Sequence, residues 1–247
     1  MKDTSIVLFL TACVNPENMS KTVLINPQVR LSQYINAIRF YIDNTRFKIL
    51  LVENTNFDLT PFFLDKIKCG RLEFLKFNGN NYNPLLGKGY GEGKILEYGF
   101  KNSIFINNAN VVIKITGRQQ ILNINLIVSS ILKIKKSKFI ALDIICNKKF
   151  ASSGLIIADK TFYIDYFIPY IEKINDNINY YFENLLFDSL CVFIEHGNNF
   201  IQFPFPCKIE GYSGTTGKKI SKPSFIRFIK TFFKFIYYKF KHPKLKS

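Results

Sequence analysis

The sequence predicts an α/β protein: an open, mostly parallel sheet flanked by helices. Three observations predict it. Short apolar runs alternate with amphipathic stretches through the first half of the chain. The 247 residues, 47% of them apolar, are enough to bury a sizeable core. Several apolar runs also end in polar residues, and the carboxyl ends of such strands are where ligands of these sheets bind.

The elements follow in order. Ile6–Ala12 is a short apolar run and reads as the first strand. Val29–Asn44 has helical periodicity, with Leu31, Ile35, Ile38 and Ile42 on one side. Phe47–Val52 is a second strand, ended by Glu53-Asn54. Thr60–Ile67 is a short helix with Pro61 in its first turn. Leu72–Phe77 is a third strand. A glycine loop, Gly87-Lys88-Gly89-Tyr90-Gly91-Glu92-Gly93, leads into a helix over Gly91–Asn102, and Val111–Ile115 is a fourth strand. The second half is less regular. Phe139–Ile145 and Gly154–Ile157 read as strands, and Tyr163–Ile171 and Ile178–Leu190 as helices. Cys191–Glu195 and Phe200–Phe205 are short apolar runs bounded by turns, with Glu195-His196 expected to end a strand and His196 to have a structural or substrate-orienting role rather than a catalytic one. Gly211–Gly217 reads as a mobile loop.

No apolar run reaches the roughly 18 residues that span a bilayer. Leu10-Thr11-Ala12-Cys13 looks like a lipoprotein cleavage box, but the basic start and long apolar stretch of a signal peptide are not in front of it, so a buried strand is the better reading. The five cysteines are odd in number and widely spaced, which argues against a disulfide framework and a structural zinc site and suits reduced thiols.

The net charge is +16. Residues 218–247 carry ten Lys or Arg and no Asp or Glu, so the basic character belongs largely to the tail. Ser224, after Pro223, can cap a helix there. On it, Arg227, Lys230, Lys234 and Lys241 form a basic stripe beside a wide aromatic face, a pattern suited to an anionic membrane surface. The rival reading is a last helix packed on the protein with its lysines in water. Nucleic-acid binding is not expected, since no nucleic-acid motif accompanies the charge. The expected division is a catalytic domain over 1–217 and a membrane-associating tail over 218–247.

Glycines let a backbone approach a phosphate, Lys88 adds a charge, and a helix start adds its dipole. Gly87, Lys88, Gly89 and Gly91 are therefore candidate phosphate contacts. The pattern is neither a P-loop nor a dinucleotide fingerprint, and an ordinary turn is the plain alternative. The order of glycine segment, helix, strand and polar exit over Gly87–Arg118 is similar to the central stretch of GT-A-fold, Rossmann-like glycosyltransferases. More closely, Gly-Lys-Gly-Tyr-Gly-Glu, Lys114-Ile115-Thr116-Gly117-Arg118 and Gly211-Tyr212-Ser213-Gly214 resemble bacterial proteins of capsule and lipopolysaccharide (cell-surface polysaccharide) synthesis. Leu10-Thr11-Ala12 and Val52-Glu53-Asn54-Thr55 fit the same layout, and the resemblance spans most of residues 5–217.

The resemblance implies a hexosyltransferase-type enzyme, cytoplasmic and peripheral on the inner face of the cell membrane. It would move a sugar from a nucleotide-sugar donor to a lipid-linked or surface glycan acceptor. Thr11, Glu53 and Asn54 would contact the nucleotide, Lys88, Lys114 and Arg118 the diphosphate, with Thr116 and Gly117 as further substrate contacts, and the loop with Ser213 and Gly214 would close over the donor. Where the fold usually carries Asp-x-Asp, this chain has Lys114–Arg118, which cannot ligate Mg²⁺ or Mn²⁺. No cofactor is predicted, with a metal held by Glu53 or Glu92 as the alternative. For the acceptor-side base, Glu183 is the first candidate, with Glu92 and Asp188 behind it; a solvated acid on a helix is the plain alternative for Glu183. Two rivals stand beside this reading: a nucleotidyltransferase on a related sheet, and a non-catalytic membrane-surface scaffold.

Overall fold

The structure is a computed structural model describing residues 5–17, 19, 22–145, 149–212, 217–220 and 223–240. Cys146, Ser213, Gly214 and Lys241 lie outside the described residues. In chain order the elements are β1 (Ile6–Ala12), α1 (Pro27–Asn44), β2 (Lys48–Glu53), α2 (Thr60–Lys68), β3 (Leu72–Lys76), α3 (Gly87–Asn102), α4 (Ile104–Asn107) and β4 (Val111–Thr116). There follow β5 (Gln120–Ile121), α5 (Ile124–Ile134), β6 (Phe139–Leu142), β7 (Ile144–Ile145), β8 (Phe150–Ala151), β9 (Leu155–Asp159), α6 (Phe182–Glu195), β10 (Asn199–Gln202), β11 (Ile209–Glu210) and α7 (Phe225–Phe240).

Seven strands make one sheet in the order β10-β6-β9-β4-β1-β2-β3. β1 pairs in parallel with β2 and β4, β2 with β3, and β10 with β6; β9 runs antiparallel to both its neighbours. The expected α/β class with a mostly parallel sheet is the one observed. β1 and β4 are apolar along nearly their whole length and buried on both faces, as the inner strands of a covered parallel sheet must be.

Local chemistry sets the helix boundaries. α1 starts where the Asn26 side chain accepts from the Gln28 and Val29 amides, with Pro27 in the first turn. Its buried face is Arg30, Tyr34, Ala37, Ile38 and Tyr41, one residue round from the expected stripe; Leu31, Ile35 and Ile42 are half-buried.

Three expectations in the middle and second half are corrected. Gly87–Gly93 is not a loop: α3 begins at Gly87, and the glycines lie within the helix because other groups press against it. A Cβ at Gly87 would overlap the Asp176 carboxylate, one at Gly91 the Tyr82 hydroxyl, and one at Gly93 would sit 2.8 Å from an Ile171 methyl. Cys191–Glu195 is the end of α6 rather than a strand, since a short apolar run cannot be told from a buried helix segment by pattern. His196 is the C-cap residue of that helix, its Nδ1 3.1 Å from the Tyr166 hydroxyl. Tyr163–Ile171 forms π and 3₁₀ turns over Phe162–Phe167 and Ile168–Lys173 instead of a regular helix.

α7 starts behind Ser224, whose hydroxyl accepts from the Arg227 amide at 3.3 Å. It lies against β10, with the Tyr238 ring edge-on to Phe200 at 5.7 Å and Phe235 half-buried. Lys234 pairs with Asp143 at 2.5 Å and donates to the Ile144 carbonyl, so this member of the expected basic stripe turns toward the protein. Arg227 and Lys230 are exposed. The opposite face bares Phe225, Ile226, Ile229, Phe232, Phe233 and Tyr237, with Phe233 66% exposed. Among the described residues no helix is long and apolar enough to cross a membrane.

The packing of α3 on the sheet is tightest at Gly99, where a Cβ would overlap the Phe9 ring and lie 3.2 Å from Val52. Helix propensity alone would make Gly99→Ala stabilising by about 1 kcal/mol. Overpacking reverses the sign, and the variant is expected to lose about 1–3 kcal/mol in urea unfolding. Lys101→Ala, on the exposed side of the same helix, serves as the near-neutral control.

Candidate functional site

The carboxyl ends of β1, β2 and β4 meet, and backbone bonds tie them together. The Gly117 amide donates to the Thr11 carbonyl at 3.0 Å and the Asn54 amide to the Ala12 carbonyl at 3.1 Å. Gly117 is required by this closeness, because a Cβ there would overlap the Thr11 carbonyl oxygen. Tyr41, from the last turn of α1, fixes the exit of β4: its hydroxyl donates to the Gln119 carbonyl at 2.7 Å and accepts from the Ile121 amide at 2.9 Å.

A cavity opens over these strand ends. Of the residues expected at a ligand site, Thr11, Asn54, Lys88, Gly91, Glu92, Thr116 and Arg118 line it together. Others lie elsewhere. Gly87 and Gly89 face Asp176 and Phe182. Glu53 is fully buried, and its carboxylate accepts from the Val14, Thr55 and Phe57 amides and the Thr55 hydroxyl, so it shapes the β2 exit loop. Burial pushes its carboxyl up, and those hydrogen bonds pull against it. Lys114 lies beneath the cavity, 0% exposed, with its Nζ 2.5 Å from Glu92 Oε1 and 2.7 Å from the Ser153 carbonyl. Glu183 accepts from the Ser153 hydroxyl at 2.7 Å. Asp188 is on the exposed side of α6, accepting from the Tyr180 hydroxyl at 2.5 Å.

Arg30 and Tyr34 are the wall residues that the sequence reading missed. Arg30 is 5% exposed and Arg118 7%, and each guanidinium carbon is 5.9 Å from the centre of the Tyr34 ring. Arg30 donates to the Cys13 carbonyl through Nε at 2.8 Å and Nη2 at 2.5 Å, and to the Leu24 carbonyl at 3.1 Å. Arg118 donates to Gln33 Oε1 at 2.9 Å, and its Nε has no protein partner. Among the described residues neither arginine has an acidic partner. The buried Oδ1 atoms of Asn54 and Asn80, both on the cavity wall, are also without partners.

Two buried guanidinium cations without counter-charge, beside Lys88, make a place for an anion. The cavity does not suit a divalent cation. Among the described residues that line it Glu92 is the one carboxylate, its Oε1 is bound to Lys114, and the described residues contain no cluster of three or more His, Cys, Asp or Glu.

Comparison with protein families and with curated proteins found no match. Among solved structures, the chain is similar in course to the glycosyltransferase GlyE of Streptococcus pneumoniae, at 10% identity and TM-score 0.47, covering 81% of this chain and 45% of that one. It is similar to core-mannan synthase A of Aspergillus fumigatus in a Mn/GDP form, at 9% identity and TM-score 0.46, covering 95% and 86%. A cytidylyltransferase of Leptospira borgpetersenii is similar at 11% identity and TM-score 0.44, covering 83% and 77%. The residues of the cavity, rather than these distant likenesses, carry the functional conclusion.

Burial pushes the Cys13 thiol on the cavity wall up to about 11, with the Arg30 cation pulling the other way. The thiolate is the reactive form, so Cys13 stays protonated at neutral pH. Iodoacetamide at pH 8 should therefore modify exposed Cys69 well before Cys13, and the Cys13 rate should climb about tenfold per pH unit toward 11. Peptide mapping by mass spectrometry reads both sites.

Proposed function

We propose that the protein is a nucleotide-sugar-dependent glycosyltransferase that binds its donor's diphosphate with arginine and lysine rather than through a metal. The observation that carries this is the buried pair Arg30 and Arg118, without acidic partners among the described residues, at the joined carboxyl ends of β1 and β4. In this reading Arg30, Arg118 and Lys88 meet the diphosphate, and Thr11, Asn54 and Asn80 supply polar contacts to the nucleotide. Cations held in a dry site also stabilise the negative charge that grows on a departing diphosphate. Glu183, in the first turn of α6, is the proposed acceptor-side base.

The proposed acceptor is a lipid-linked or surface glycan of capsule or lipopolysaccharide synthesis, met at the inner face of a bacterial membrane. The bare apolar face of α7 and the basic tail support that placement.

Thermal stabilisation by UDP, GDP, CMP and dTDP and their sugars, with Mn²⁺ and with EDTA, tests the donor reading. One nucleotide class should stabilise the protein equally in both. Arg118→Ala should weaken that nucleotide about 10- to 100-fold, as loss of a charge-assisted contact does. Stabilisation abolished by EDTA and restored by Mn²⁺ would refute metal-free binding.

The membrane placement has its own check, sedimentation with vesicles of phosphatidylglycerol and phosphatidylcholine. Phe232→Ser with Phe233→Ser should release the protein from anionic vesicles at unchanged melting temperature, since both rings are exposed. Vesicle binding that survives both changes would place the contact elsewhere.

A further inference from the structure

Lys114 is a cation in the middle of the sheet. It sits on β4 between Phe9 of β1 and Ile156 of β9, and its ammonium lies 5.0 Å from the centre of the Phe182 ring. Removing such a charge from water is costly, and an apolar side chain would fill the space as well. The ammonium has three donors, and two of them are spent on Glu92 and the Ser153 carbonyl.

The arrangement around Glu92 is one-sided. Lys114, Thr11 and Thr116 all reach the same oxygen, Oε1, at 2.5, 3.2 and 3.4 Å. Its other oxygen, Oε2, has no hydrogen-bond partner among the described residues, and Glu92 lines the cavity. A carboxylate fixed by one oxygen presents the other as a pure acceptor. That acceptor repels phosphate and attracts a neutral hydroxyl. The cavity therefore has two chemistries, guanidinium cations for an anion and a carboxylate for an O–H donor.

We infer that Glu92 accepts a hydroxyl of the bound ligand, on the ribose or on the transferred sugar, and that Lys114 is the positioning residue that holds Glu92 for it. The inference rests on the donor reading above. Ser153 extends the arrangement, since its carbonyl faces Lys114 while its hydroxyl faces Glu183. One residue thus braces Glu183 directly and Glu92 through Lys114.

Isothermal titration of the full chain tests this with UDP, GDP and CDP, their 2′-deoxy and 3′-deoxy forms, UDP-glucose and GDP-mannose with deoxyhexose counterparts, and inorganic pyrophosphate. The wild type should prefer one hydroxylated ligand over its deoxy form by about tenfold or more. The ribose and hexose arms identify which hydroxyl is read. Glu92→Gln should erase that preference with pyrophosphate still bound. Lys114→Met removes the cation that matches Glu92, so it is made together with Glu92→Gln: the double variant drops both charges at once and should lack the preference while pyrophosphate affinity stays within about threefold, the level of a binding site left intact. A merely structural lysine would weaken all the probes together. Full hydroxyl preference in either variant, or parallel loss of pyrophosphate in the double variant, overturns the inference. A wild type that binds pyrophosphate or nucleotides without any hydroxyl preference overturns it alone. A wild type that binds none of the probes overturns the donor reading beneath it.

Discussion

The chain's return across β1 is the constraint on which the rest of the molecule depends. It leaves β1 outward to β2 and β3, then comes back through α3 to pair β4 on the other side of β1. The connections on the two sides of β1 therefore diverge, and a crevice must open above its carboxyl end. Thr11, Ala12 and Cys13 are at that point by topology alone. α1 and α3 flank it because they are the first and last connections of this excursion, and so Arg30 and Tyr34 come from one side and Lys88, Gly91 and Glu92 from the other.

The cavity's electrostatics follow from this arrangement. Acceptors at strand exits are backbone carbonyls, which satisfy the donors of a guanidinium without cancelling its charge. Arg30 is held in this way by Cys13 and Leu24, which fixes its geometry and leaves its charge uncompensated. Glu92 is the opposite case, its charge matched by Lys114 from below. Guanidinium character thus gathers where α1 meets the exit of β4, while on the α3 side the Glu92 carboxylate is neutralised by Lys114.

The sequence made the first half of the fold legible because each element there has its own pattern. The strands are short and mostly apolar, α1 is capped by Asn26, and α2 carries Pro61 in its first turn. The strand exits were legible for the same reason, so Thr11, Asn54, Thr116 and Arg118 could be named from the ends of apolar runs. Arg30 could not. It lies inside a helix, and only its i, i+4 relation to Tyr34, continued by Ala37 and Tyr41, marks that face as the inner one. The glycines of α3 misled for a physical reason: in sequence, freedom of the backbone and absence of a side chain look the same. Here absence matters, to make room for Tyr82 and Ile171, and at Gly87, which faces Asp176 at a φ of +81°, both matter. In the second half, antiparallel β9 and the end of α6 are brief apolar runs whose direction and class are settled by tertiary packing.

The buried Lys114 also bears on how the sheet finds its alignment. β4 reads Val-Val-Ile-Lys-Ile-Thr and is covered on both faces, so along Val111–Ile113 slipping it by one residue would only exchange one aliphatic side chain for another. Hydrophobicity is nearly silent on such a slip. The ammonium is not silent, because only one alignment puts it opposite Phe9 with Glu92 and the Ser153 carbonyl in reach. Any other alignment strands a charge in a dry interior or turns it away from its counter-ion. The one cation in the strand thus acts as an index mark, selecting a single register for β4 between β1 and β9.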